Sequence, residues 1–466
     1  MSTELNALLA AATEEAPVSA LKPAVDPATL TWRAPRRDAF WQQIPAWRDV
    51  DHETFGSFLW QEKHAITTTK RLFESVRELV DDAFVRDVEQ GFAHAPMTVR
   101  ISPYLLSLID WSDPHGDPIR RQFLPLASDL EADHPMLTLD SLGEQADAPV
   151  PGLTHRYPDK ALFLALDTCP VYCRFCTRSY AVGLDTDKIE KVQIKANRER
   201  WARAFRYLTE RPEIEDVVVS GGDAYRIKAD QLLEIGHALL DIPHIRRFRV
   251  ATKGLAVLPM RIKAGDDWTE AVTALNERAR KLGKDMAVHT HFGHANEITG
   301  FSEDMMRVFQ ERGVLVRNQA VLQRGVNDSD DAMLQLTRKL GYVNIHPYYV
   351  YVCDMVRGVE NLRTTVDTAI RLEKRLRGST AGFNTPSFIV DAMGGGGKRD
   401  AHSFEHYDRR TGIAVYQAPR VKEGKLFFYF DPLSALAPDV QAAWQSEDGR
   451  REMVDAAVNA ARAAMR

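Results

Sequence analysis

The sequence predicts an α/β protein built on an open, partial βα barrel of six parallel strands, with an N-terminal mainly helical region and a C-terminal α+β extension. Three observations predict it. Short β-rich runs alternate with stretches of helical period between residues 161 and 348. The runs number six, too few to close an eight-stranded barrel. The unusual polar residues fall at the carboxyl ends of those runs, where parallel α/β folds collect their chemistry. A doubly wound open sheet is the alternative architecture.

The expected strands are ALFLALD (161–167), IEDVVVS (214–220), RRFRVAT (246–252), DMAVHTH (285–291), GVLVRNQ (313–319) and YVNIHPY (342–348). Segments such as IKANRERWARAFRYLTE and DDAMLQLTRKL lie between them, with apolar residues at helical spacing. The strands belong to a barrel region spanning 151–355. Before it, residues 1–35 are rich in Ala and Pro and read as a poorly ordered extension. Residues 36–150 read as mainly helical, with Asp51 capping one helix and Thr67–Thr69 starting another; 93–150 are mixed and wrap another body. After the barrel come a segment over 356–435 and an amphipathic terminal helix over 436–466, suited to docking or to simple packing.

Composition narrows the function. The 466 residues are 44% hydrophobic, and 60 Lys and Arg against 65 Asp and Glu give a net charge of −5. No basic run suggests a nucleic-acid partner. No stretch of about 18 apolar residues suggests a membrane span. The N-terminus carries acids where a signal peptide needs a basic region, so a cytoplasmic protein is expected. Of four cysteines, three fall between Cys169 and Cys176. That clustering points to metal chemistry in a reducing compartment rather than to a disulfide framework.

The cysteines read Cys169-Pro-Val-Tyr-Cys173-Arg-Phe-Cys176. Three thiolates at this spacing can hold three irons of a [4Fe–4S] cluster and leave the fourth iron open to a ligand. A zinc knuckle or a set of core cysteines is the alternative. Ser220-Gly221-Gly222-Asp223 follows the second run, and a tight turn that needs glycine would explain it equally. Near the end stands Asp391-Ala-Met-Gly-Gly-Gly-Gly-Lys398. It is not a phosphate-binding P-loop, because Ala392 and Arg399 stand where that motif needs Gly and Ser or Thr. A lysine on such a loop could bind pyridoxal phosphate; a flexible surface loop with a solvated lysine is the other reading.

The three-cysteine loop resembles the radical S-adenosylmethionine superfamily. With the GGD and VDA-x-GGGGK motifs, the chain resembles the lysine 2,3-aminomutase family in particular. Trp60-Gln-Glu-Lys-His-Ala-Ile-Thr, Thr154-His-Arg-Tyr-Pro-Asp and Thr290-His-Phe-Gly-His-Ala-Asn-Glu also look like family text, and the likeness covers roughly residues 45 to 430. It implies a radical S-adenosylmethionine barrel and an isomerase that interconverts L-lysine and L-β-lysine. The implied cofactors are a [4Fe–4S] cluster on Cys169, Cys173 and Cys176, S-adenosylmethionine, and pyridoxal 5′-phosphate carried by residues 356–435. Lys398 would be the Schiff-base lysine, and Arg156 would help hold the cofactor phosphate. Gln319 would sit near the cofactors. His291 and Ser220-Gly221-Gly222-Asp223 would lie beside S-adenosylmethionine. Arg178 would pair with the substrate carboxylate, and Asp354 and Asp391 would grip its cationic tail. An external flavodoxin- or ferredoxin-type reductant and a homo-oligomer are also implied.

The chain departs from the family pattern at Lys160 and Lys253, two expected phosphate neighbours where arginine is usual; lysine keeps the charge and loses the bidentate fork. No cysteine follows Cys353, so the C-terminal zinc site of the best-known members is absent. Two acids suit arginine or ornithine as well as lysine. A protein-bound lysine is another candidate substrate, and an iron–sulfur regulatory protein without turnover is the rival from outside enzymology.

Overall fold

Nine strands form one sheet in chain order, and seven consecutive strands of it run parallel. The computed structural model describes residues 26–466. The chain divides into two units, Met1–Pro35 and Arg36–Arg466. Of the first, the described part holds a short 3-10 segment at Pro27–Arg33; the poor order expected of residues 1–25 concerns positions outside the described ones. All that follows belongs to the second unit.

The strands are β1 (Leu153–Tyr157), β2 (Lys160–Leu166), β3 (Asp216–Gly221), β4 (Arg247–Ala251), β5 (Asp285–Thr290), β6 (Leu315–Leu322), β7 (His346–Val352), β8 (Ser387–Ala392) and β9 (Gly397–Asp400). The open α/β barrel expected from the sequence is present, with three strands more than expected. β1 and β9 pair antiparallel on the two edges, and β8 is a seventh parallel strand. The barrel sheet therefore runs past residue 355. β1 was hidden because LTHRY is mostly polar, and β8 because its apolar run is only Phe388-Ile-Val before the glycine-rich stretch. The strand expected at 342–348 lies at 346–352. The preceding helix continues through Tyr342, and Asn344, at φ 57°, makes the left-handed turn that redirects the chain.

The strands alternate apolar and polar residues, with the apolar set facing outward to the helices. Val217, Val219, Phe248, Val250 and Val288 are fully buried, as residues on the face covered by the crossover helices should be. Phe163, for example, meets Trp201 of the helix Arg198–Thr209 edge-on, with ring centroids 6.5 Å apart. The alternate positions Ser220, Arg249, His289 and Gln319 line cavities inside the barrel. One period of two thus supplies both a core and a polar interior.

The two edges of the sheet nearly meet. The backbone N–H of Lys398 on β9 donates to the Tyr157 hydroxyl on β1 at 2.8 Å. Outside the barrel, β10 (His406–Asp408), β11 (Ile413–Gln417) and β12 (Leu426–Phe430) form a small antiparallel sheet. The terminal segment is two helices, Pro438–Gln445 and Glu447–Ala464, which meet at the capping residue Ser446. The second packs on β10 and β11, and Trp444 of the first is fully buried. The amphipathic tail thus packs within its own chain. In the N-terminal region Asp51 and Thr68 cap helices as the sequence indicated.

Candidate active site

Two adjoining cavities occupy the barrel interior. The upper, at the carboxyl ends of the strands, has a volume of about 310 Å³, and Cys169, Cys173 and Cys176 form part of its wall. The lower has a volume of about 220 Å³ and is lined by Arg156, Tyr157, Lys160 and Arg249. Arg178, Ser220, Gln319, Asp391 and Lys398 line both.

The cysteine loop follows β2 at once, and its thiols are free. Burial raises all three, Cys173 to about 12, so without a cation they stay neutral. Binding metal would deprotonate them. Among the described residues no three His, Cys, Asp or Glu side chains converge on a single-ion site. Three thiols on one loop, all lining the same cavity, suit a cluster that takes one thiolate per iron. The end of β3 approaches this loop closely. Gly221 has φ 129°, and a Cβ there would lie 2.1 Å from the Leu166 carbonyl oxygen; one at Gly222 would lie 2.4 Å from that of Thr168. Ser220 and Asp223 line the upper cavity beside these glycines. The Asp223 carboxylate is already engaged, accepting the backbone N–H groups of Tyr225 and Lys253 at 2.8 Å each. His291 lies against Phe175, and its Nε2 is buried with no hydrogen-bond partner among the described residues.

Lys398 and Asp391 face each other across the β8–β9 hairpin. Lys398 Nζ stands 3.0 Å from Asp391 Oδ2, with side-chain exposures of 30% and 7%. The glycines make that hairpin possible. Gly394, Gly395 and Gly397 take φ values of 74°, 90° and 72°, and a Cβ at Gly396 would lie 2.5 Å from the Phe427 ring. Lys398 is therefore a strand residue and not part of a solvated loop. Burial alone would lower its ammonium, but Asp391, with Tyr351 and Tyr157, overrides this and holds it well above the usual lysine value.

The expected acids sit together. Asp354 follows β7, lines the upper cavity with Asp391, and accepts a hydrogen bond from the Thr177 hydroxyl. Burial and the nearby Asp391 charge raise its carboxyl to about 7. Arg178 is held by Glu144, with Nε and Nη2 at 2.9 and 2.8 Å from its two oxygens. Arg156 donates from Nε to Asp147 at 2.7 Å. Lys160 places its ammonium 3.8 Å above the Tyr157 ring and, among the described residues, forms no ion pair.

The structure separates the two lysines expected together beside a phosphate. Lys160 lines the lower cavity with Arg156 and Arg249, whereas Lys253 lines the upper one. Lys253 donates to the His291 carbonyl at 2.9 Å and lies 3.6 Å from buried Glu297. The reason is its place after β4, at the carboxyl mouth of the barrel.

Several lining residues escaped the sequence reading. His289 lines both cavities, and the Gln319 amide donates to its Nδ1. Its signal was available, since strand alternation puts it on the same face as His291. Tyr351, which donates to Gln319 Oε1 at 3.2 Å, lay beyond the end of the strand expected at 342–348. Glu144 and Asp147 lie in a loop without period, and no pattern marks them.

No family model matches the chain. It is similar to an L-lysine 2,3-aminomutase of Clostridium subterminale, 38% identical over 353 residues, covering 75% of this chain and 79% of that one. It is 36% identical over 370 residues to an L-lysine 2,3-aminomutase of Bacillus subtilis, covering 79% and 73%. A glutamate 2,3-aminomutase of Clostridioides difficile is 32% identical over 358 residues, covering 77% and 79%.

Replacing Cys169, Cys173 or Cys176 singly by Ala should abolish the visible absorbance gained on anaerobic reconstitution with iron and sulfide. Cys353→Ala should retain it, since Cys353 does not line the cavity that the three cysteines wall. Equal loss in all four variants would contradict the placement.

Proposed function

The chain belongs to the lysine 2,3-aminomutase family, and on that premise we propose that it interconverts L-lysine and L-β-lysine. The observation that carries the reading is that Lys398, the acid pair and the three cysteines line one cavity. Cys169, Cys173 and Cys176 would hold a [4Fe–4S] cluster, with S-adenosylmethionine beside it against Ser220-Gly221-Gly222-Asp223 and His291. Pyridoxal 5′-phosphate would lie in the lower cavity, carried by Lys398. Its phosphate would meet Arg156 and Lys160, cations in a cavity where charge-assisted hydrogen bonds are strong. When bound, cluster and S-adenosylmethionine supply the radical that removes hydrogen from carbon 3, and pyridoxal phosphate supplies the π system through which nitrogen moves from carbon 2.

The chain's own residues prepare that chemistry. Lys398 must be neutral before its nitrogen can carry the cofactor; Asp391 Oδ2, 3.0 Å away, holds it as the ammonium until then, so the proton leaves to solvent and Asp391 stays a carboxylate. Asp391 Oδ1 is buried with no hydrogen-bond partner among the described residues, free to meet a cation. Once Lys398 is neutral, Asp391 and Asp354 present two acids to the substrate tail while Arg178 receives its carboxylate. A glutamate side chain entering the same place would meet like charge. Electrons would come from an external flavodoxin- or ferredoxin-type reductant, and the chain would act as a homo-oligomer in the cytoplasm. Among the described residues no helix is long and apolar enough to cross a membrane.

Anaerobic turnover of the reconstituted protein, offered L-lysine, L-arginine, L-ornithine and L-glutamate separately, tests the proposal. The expected result is β-lysine, resolved by mass spectrometry after derivatisation. Another β-amino acid would correct the pocket reading, and deoxyadenosine without any β-product would point to a protein-bound substrate.

The acid pair makes binding depend on pH. Below about 7 Asp354 is protonated, so only one negative charge meets the tail, whose own ammonium stays charged to about 10.4. The apparent KM for L-lysine should therefore fall as pH rises through about 7. Asp354→Asn should flatten this dependence and lower kcat/KM by at least about 100-fold. An unchanged KM profile in that variant would refute the role of Asp354.

A further inference from the structure

Arg178 is the guanidinium that the proposed reading gives to the substrate carboxylate, and a residue with no role in that reading sets its geometry. Glu144 has a side chain 4% exposed, and both its oxygens are taken by the Nε and Nη2 of Arg178. The Tyr180 hydroxyl donates a third hydrogen bond to it at 2.9 Å. The backbone beneath is fixed as well. Asp140 accepts the N–H groups of Glu144 and Gln145 at 2.8 and 3.0 Å, and Gly143 takes the left-handed turn at φ 66°.

A guanidinium carries five N–H donors. Glu144 uses the side-on pair, one hydrogen on Nε and one on Nη2. The end-on fork of Nη1 and the second Nη2 hydrogen has no hydrogen-bond partner among the described residues, and Arg178 lines both cavities. We infer that Glu144 is a positioning residue: its two-point grip on one edge of Arg178 aims the other edge at the junction of the cavities, where the carboxylate of an α-amino acid is received. The inference rests on the proposed reading of the site and adds the part that fixes the substrate's orientation. The same loop carries Asp147, which accepts a single hydrogen bond from Arg156 Nε at 2.7 Å, and Leu142, whose carbonyl accepts from Arg156 Nη2. One loop thus aligns the arginine meant for the substrate and the arginine meant for the phosphate.

The test compares ligands with and without the carboxylate. Full-length protein reconstituted with iron, sulfide and pyridoxal phosphate is titrated with L-lysine and with L-lysinamide, following the absorbance of the bound pyridoxal group. Glu144→Gln should raise the Kd of L-lysine about tenfold and leave that of L-lysinamide within about twofold, and Glu144→Asp should fall between. Asp147→Asn should weaken pyridoxal phosphate binding without changing the ratio of the two ligand affinities. Equal weakening of both ligands in Glu144→Gln would make Glu144 merely structural and overturn the inference, as would no change in either. Should Glu144→Gln fail to fold, Tyr180→Phe keeps the charge and removes one hydrogen bond from Glu144. It should shift the ratio in the same direction by about two- to threefold, and an unchanged ratio would overturn the inference. Failure of the functional reading is separately visible, as a wild-type protein whose spectrum responds to neither ligand.

Discussion

The ion pair between Asp391 and Lys398 is the contact on which the rest of the centre depends. It joins the last parallel strand of the barrel to the antiparallel strand that ends the sheet, and it does so inside the barrel rather than on its surface. A buried pair of this kind contributes little net stability, because desolvation offsets most of the attraction, but losing one partner leaves an uncompensated charge. Its value here is positional. The hairpin turn can place the two groups opposite each other only because three of its glycines take left-handed backbone angles and the fourth has no room for a side chain.

That hairpin also explains why the barrel stops short of closure. β9 reaches β1 through one hydrogen bond to the Tyr157 hydroxyl, and Arg156 and Lys160 flank that tyrosine on β1 and β2. The seam of the sheet is therefore where the lower cavity gathers its positive charge. Above it, the cysteine loop and the glycine pair after β3 shape a second chamber whose thiols are held neutral by burial until a cation arrives. The two chambers share Arg178, Gln319 and Asp391 as walls, so a ligand in one is in reach of groups that serve the other. The acid pair adds a distinction within the family. Its relatives include proteins named for lysine and for glutamate, and two carboxylates facing one cavity favour the cationic tail.

Much of this was legible in the sequence because chemistry and strand ends coincide in parallel α/β folds. The cysteine loop, the GGD turn and the acid after β7 were found at the ends of expected strands, and the structure brings them to one cavity. Lys398 and Asp391 were found through their glycines, though the strands that carry them were not. A short apolar run beside four glycines has too little periodicity to declare itself. What stayed hidden follows one rule. Glu144 and Asp147 act through arginines some distance away in sequence, from a loop whose conformation rests on the Asp140 carboxylate and a left-handed Gly143. Neither alternation nor helical period marks such residues, since their positions come from tertiary contact alone. The separation of Lys160 from Lys253 was legible: one precedes the strand expected at 161–167 and the other follows the strand expected at 246–252, which puts them at opposite ends of parallel strands.

The central claim is that the chamber lined by the cysteines and the chamber carrying Lys398 serve one substrate. The most direct measurement is label transfer in a single turnover, with L-lysine deuterated at carbon 3, S-adenosylmethionine and a chemical reductant under anaerobic conditions. Mass spectrometry of the 5′-deoxyadenosine should show deuterium taken from the amino acid. Deoxyadenosine formed without label, while bound lysine remains intact, would contradict the account.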